Sequence, residues 1–76
     1  MLDRIVFDSA ILGGKPIVRG TRVSVELILE WIASGATRDD IIRKHAHLTA
    51  ADIEQALAYA ASAVRNEVRA TAEVAA

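Results

Sequence analysis

The phrase Thr-x-x-Asp-Ile occurs twice in this chain, at Thr37 to Ile41 and at Thr49 to Ile53, and it constrains the fold more than any other feature. A Thr hydroxyl that caps the start of a helix, with an acid three residues on that reaches back to the Thr N–H, approximates a capping box. Two such starts, with Ala46-His47-Leu48 as the connection, predict a short helix, a turn and a second helix. A turn of three to four residues between capped helices is the spacing of a helix-turn-helix. In the shorter helix, Asp39 and Asp40 sit at the positive end and Arg43 and Lys44 at the negative end, as the macrodipole prefers.

Upstream, Ser24 supplies an N-cap, Val25, Ile28, Leu29 and Ile32 form one stripe widened by Leu27 and Trp31, and Gly35 provides a stop. After Thr49, the residues Ile53, Ala56, Leu57, Ala60, Ala61, Val64 and Val68 recur on one helical face, so the third helix is the longest. Arg4 to Phe7 and Pro16 to Val18 are short apolar runs separated by Gly13-Gly14, which predicts two short strands. A lone two-stranded ribbon is barely stable in water, and its open edge invites a second copy. The expected fold is mostly α, a three-helix helix-turn-helix-like core with a short N-terminal β-ribbon. Residues 1–23 form the ribbon and a basic loop, 24–66 the helical core, and 67–76 a C-terminal helical extension or tail. Val64, Val68 and Val74 carry the apolar pattern toward the end of the chain, either as a docking stripe for a partner or as a fraying Ala-rich terminus.

With 76 residues there is room for one domain, and a chain this short buries only about 60% of the surface its unfolded form exposes. There is no Cys, and His45 and His47 are the only soft ligands, so a partner chain, most simply a second copy, is the expected source of extra stability. The missing Cys fits a reducing compartment, Met1-Leu2-Asp3-Arg4 opens no signal-like apolar run, and no stretch approaches bilayer-spanning length. The expectation is a cytoplasmic protein without membrane contact.

Little in the sequence points to catalysis. Gly13-Gly14-Lys15 lacks both the earlier Gly and the following Ser or Thr of a phosphate loop, and Pro16 follows instead. His45 and His47 are two apart, a spacing that would set them on different sides of a helix, and no Cys is present to complete a zinc set, so neither metal nor cofactor is expected. No nucleophile-base arrangement is legible, and paired carboxylates occur only at helix ends. The chain is expected not to be an enzyme.

Charge is more informative. The net charge is −1, which offers no broad cationic surface to nucleic acid. Lys15, Arg19 and Arg22 nevertheless place three cations within eight residues without an acid, while the chain from Thr49 onward nets −2. If DNA is bound, this segment meets its phosphates, with Gly20 turning the backbone between the two Arg side chains; alternatively, three exposed cations simply solubilise a loop. In an ordinary helix-turn-helix the second helix reads the major groove. Here Gln55 could pair with adenine and Ala50 or Ala51 could meet a thymine methyl, but phosphates repel Asp52 and Glu54.

Three segments together resemble the DUF433 family: Gly14-Lys15-Pro16-Ile17-Val18-Arg19-Gly20-Thr21-Arg22-Val23, then Val25-Glu26-Leu27-Ile28-Leu29, then His47-Leu48-Thr49-x-x-Asp52-Ile53-x-x-Ala56-Leu57-Ala58-Tyr59-Ala60. The resemblance spans roughly residues 5 to 63. It departs from the family pattern at Ala46 and Ser24, where Pro is common. It implies a helix-turn-helix-like domain acting as the antitoxin of a type II toxin-antitoxin pair, with a PIN-like nuclease as toxin. On that reading a homodimer binds operator DNA through Lys15, Arg19, Gly20, Thr21 and Arg22, with Gln55, and the C-terminal extension with Val64, Val68 and Val74 grips the toxin. The competing reading is a protein-interaction module in which Arg19, Gly20, Thr21 and Arg22 build a turn and a dimer contact without DNA.

Overall fold

The structure, a computed structural model, describes the backbone from Leu2 to Ala75 and the side chains from Leu2 to Arg65. Strands β1 (Ile5–Phe7) and β2 (Pro16–Val18) pair antiparallel, Ile5 opposite Val18 and Phe7 opposite Pro16. The connection between them tightens at Leu12–Gly14 into a 3-10 turn, where Gly13 (φ 67°) and Gly14 (φ 85°) take the left-handed backbone that glycine tolerates. A ribbon this short does not stand alone. Ile5, Ile17 and Val18 are buried, and Ile5 and Val18 belong to the same core as the helices. Residues 2–23 are therefore packed into one unit with the helical residues.

Three helices complete the architecture: α1 (Val25–Ala33), α2 (Arg38–Lys44) and α3 (Ala50–Ala75). Helix α1 opens on Ser24, whose Oγ accepts from the Leu27 N–H at 3.0 Å. It closes with Gly35 at φ 105°, the Gly35 N–H donating to the Ile32 carbonyl and the Ala36 N–H to that of Trp31, a Schellman motif that satisfies the last carbonyls. Both repeats of the Thr-x-x-Asp phrase form full capping boxes. Thr37 Oγ1 accepts from the Asp40 N–H (3.1 Å) and Asp40 Oδ2 from the Thr37 N–H (2.9 Å); Thr49 and Asp52 repeat this at 3.2 and 2.9 Å. The connection between α2 and α3 is residues 45–49, and it places Leu48 in the core.

The core consists of Ile5, Val18, Val25, Ile28, Ile41, Leu48, Ile53 and Ala56, ringed by half-buried side chains that include Trp31, Ile32, Ile42 and Tyr59. Among the described side chains, the apolar stripe of α3 is thus fully covered only at its beginning. Leu57, expected on the inward face, is 39% exposed and Val64 54%. The physical reason is length: α3 runs 26 residues, about 39 Å at 1.5 Å per residue, and it outlasts the short elements available to pack on it. Leu29 of α1, also expected inward, is 37% exposed beside it. The backbone of α3 passes without a break through the boundary expected near residue 66. Val68 and Val74 lie outside the described side chains. Among the described residues no helix is long and apolar enough to cross a membrane.

Candidate nucleic-acid interface at the Arg19 to Arg22 turn

The chain leaves β2 and reverses within Val18 to Val23. The Val18 N–H donates to the Val23 carbonyl at 2.9 Å, and the Thr21 N–H to the Val18 carbonyl at 3.1 Å. The Thr21 hydroxyl closes the turn from both sides, donating to the Val18 carbonyl and accepting from the Val23 N–H, each at 2.9 Å. Gly20 sits at φ 77° with open space where a Cβ would be. Its role is therefore backbone conformation and not close approach to a neighbour. Of the sequence-predicted site residues, Gly20 and Thr21 are thus spent on building the turn.

What the turn presents is Arg19 and Arg22, both exposed. Arg19 is tethered: its N–H donates to the Arg4 carbonyl at 2.7 Å and its Nε to the Asp3 carbonyl at 2.9 Å. A guanidinium carries five N–H donors, so the outer edge of Arg19 stays available. Neither Arg forms an ion pair among the described residues. Lys15 differs. Its Nζ lies 2.8 Å from Glu26 Oε1 on the exposed surface, and that hydrogen bond raises the lysine pKa and lowers that of the glutamate. Lys15 therefore offers a partner less free charge than either Arg.

Gln55 lies at a different point. Its Oε1 accepts from the Arg4 N–H at 2.7 Å and its Nε2 donates to Asp3 Oδ1 at 3.0 Å. Both ends of the amide fasten the N-terminal segment to α3, and the bond from Gln55 is the main cause holding the Asp3 carboxyl below its usual value. The exposed start of α3 shows Ala50, Ala51 and Glu54, with Glu54 paired to Arg38. This helix face is neutral to acidic, unlike the Arg19 to Arg22 turn.

Beneath it lies a feature that sequence reasoning missed. Arg4 Nε is 2.6 Å from Oδ1 of Asp52, whose side chain is fully buried. Burial opposes the Asp52 charge, but Arg4 and the two bonds from Thr49 outweigh it, and the carboxyl pKa ends below the ordinary value. The capping motif marked Asp52 as a cap, and nothing local marked it as the anchor for a residue 48 positions away. Near the end of α1, Trp31 stacks on His45 with ring centroids 4.3 Å apart and planes 12° apart. That contact too was invisible in the sequence, because it depends on α2 ending beside α1. Val64 lines an apolar groove with Pro16, Val25, Leu29, Tyr59 and Ala63, and Phe7, 60% exposed, meets the edge of Tyr59 at 6.0 Å.

These elements define a mostly α domain of three helices with an antiparallel β-hairpin at its N-terminal end. The family model described as "Protein of unknown function (DUF433)" matches residues 5–60, and the chain belongs to that family. No curated protein and no solved structure matches the chain.

Proposed function

We propose that this chain is a cytoplasmic, non-catalytic antitoxin of a type II toxin-antitoxin pair, a dimer that binds operator DNA and neutralises a PIN-like nuclease. The observation that carries the DNA-binding part is the pair of exposed guanidinium groups, neither in an ion pair among the described residues, on a turn closed by its own hydrogen bonds. Such groups contact phosphate oxygens, fix the register of a protein on the duplex and carry little sequence information. The neutral-to-acidic start of α3 favours the turn over the usual recognition helix as the DNA contact. The C-terminal end of α3 is the proposed toxin-binding element.

A second reading, an interaction module that binds no DNA, is favoured by one specific observation. Lys15, Thr21 and Gln55 all make hydrogen bonds within the chain. The test is co-expression with the adjacent reading frame, followed by a gel shift on the upstream promoter at two salt concentrations. A stable complex and a salt-sensitive shift support the antitoxin; a stable complex with no shift at low salt supports the interaction module. A chain that captures no neighbour and shifts no DNA overturns the proposal.

A further inference from the structure

From Leu57 to Val64 helix α3 reads Leu-Ala-Tyr-Ala-Ala-Ser-Ala-Val, without a charge on any face. A helix that is apolar all round belongs in a core. Here the rest of the described residues cover one side only: Tyr59 and Ala60 are half-buried, while Leu57, Ala58, Ala61 and Val64 are exposed. Leu57, Ala60, Ala61 and Val64 follow the spacing i, i+3, i+4, i+7, which is the seam of a packed helix pair, and its small residues allow a close backbone approach.

The charges bounding this segment identify the occupant. Glu54 stands before it and Arg65 after it, both exposed, and Glu54 already carries an ion pair to Arg38 of its own α2 that a second cation would share. They are eleven residues apart, about three turns, so they share one face. A parallel copy of the same helix sets acid against acid. An antiparallel copy sets Leu57 opposite Val64 of the partner subunit and brings Glu54 within reach of Arg65 of the partner subunit, twice over by symmetry. The surface is complementary to itself, as a two-fold interface requires.

We infer that α3 pairs antiparallel with α3 of a second copy about an axis between Ala60 and Ala61. The backbones of the two helices, each running Ala50–Ala75, then overlap in projection from residue 50 to residue 71, about 33 Å, while Ile53 and Ala56 stay in the core of their own protomer. This rests on the dimeric reading above and deepens it. It replaces the β-ribbon edge as the seam, moves Val64 from toxin binding to the dimer, and leaves Val74 beyond the overlap.

The experiment combines light scattering over a dilution series with single substitutions, circular dichroism serving as the check on folding. The chain has no cysteine of its own, so Ala61→Cys reports proximity to the axis directly. It should form a disulfide-linked dimer on oxidation. Ala61→Glu should keep its helical spectrum and raise the dimer dissociation constant about tenfold or more. Glu54→Arg should weaken the dimer, and adding Arg65→Glu should restore it. A dimer that persists in Ala61→Glu, with no cross-link through Cys at position 61, overturns the α3 seam and leaves a dimeric DNA-binding protein joined elsewhere. A wild-type chain that stays monomeric throughout overturns both the seam and the dimer, whereas failure of DNA binding alone is read from the gel shift and leaves the seam standing.

Discussion

Arg4 and Asp52 meet at 2.6 Å, Nε to Oδ1, across 48 positions of sequence, and the carboxylate that Arg4 reaches is the same one that caps α3. One buried side chain thereby joins the hairpin to the longest helix. Gln55, one turn further on, holds the Arg4 N–H as well.

Replacing Asp52 by Ala removes a cap and leaves its partners unsatisfied, so it should cost about 2–4 kcal/mol. Asp40→Ala breaks the same local motif at a half-exposed position and should cost distinctly less. Urea unfolding of the two variants side by side measures the difference; equal losses would show that Arg4 contributes nothing beyond the cap.

Acid should destabilise the protein through the same group. The Asp52 pKa is lowered on folding, as are those of Asp3, Glu26 and Asp40. Each such carboxylate stabilises the fold fully above the unfolded value of about 4 and loses that contribution as pH falls through the lower folded value. Urea midpoints should hold steady from neutral pH to about 5 and fall below 4, with a shallower fall in Asp52→Asn.

Ile53 is fully buried, and Ile53→Ala should cost about 2–5 kcal/mol through the lost burial and the cavity left behind. Leu57→Ala, on the same apolar stripe, should affect the isolated protomer less because its side chain is 39% exposed. Its effect should appear instead as a steeper dependence of the melting temperature on protein concentration.

At the basic turn, Arg19→Ala with Arg22→Ala should weaken promoter binding and reduce the slope of log affinity against log salt by about two. The thermal melt should stay close to wild type. Gly20→Ala, in contrast, forces a side chain into the left-handed region and should cost about 1 kcal/mol, visible in the melt before it is visible in the gel.

Much of the secondary structure was legible because it is local chemistry. The caps at Ser24, Thr37 and Thr49, the stop at Gly35 and the turn at Gly20 each follow from a residue type within a few positions of its partner. The Arg19 and Arg22 cations were legible as a pattern of charge. That Gln55 fastens the N-terminal segment was not, because its partners, Asp3 and Arg4, lie more than 50 residues away.

Asp40 and Asp52 mark the division most clearly. Their local sequence is the same, Thr-x-x-Asp-Ile, and it determined the same capping box in both places, since a Thr hydroxyl and an acid three residues on need only each other. Tertiary structure alone decided that one stays half-exposed and the other is buried on Arg4. It likewise decided that the apolar stripe of α3 loses its cover after Ala56, apart from the half-buried Tyr59 and Ala60. Helical periodicity specifies which side chains share a face, whereas burial depends on whether another element reaches that face, and among the described side chains the hairpin and α1 leave Leu57 and Val64 of α3 exposed.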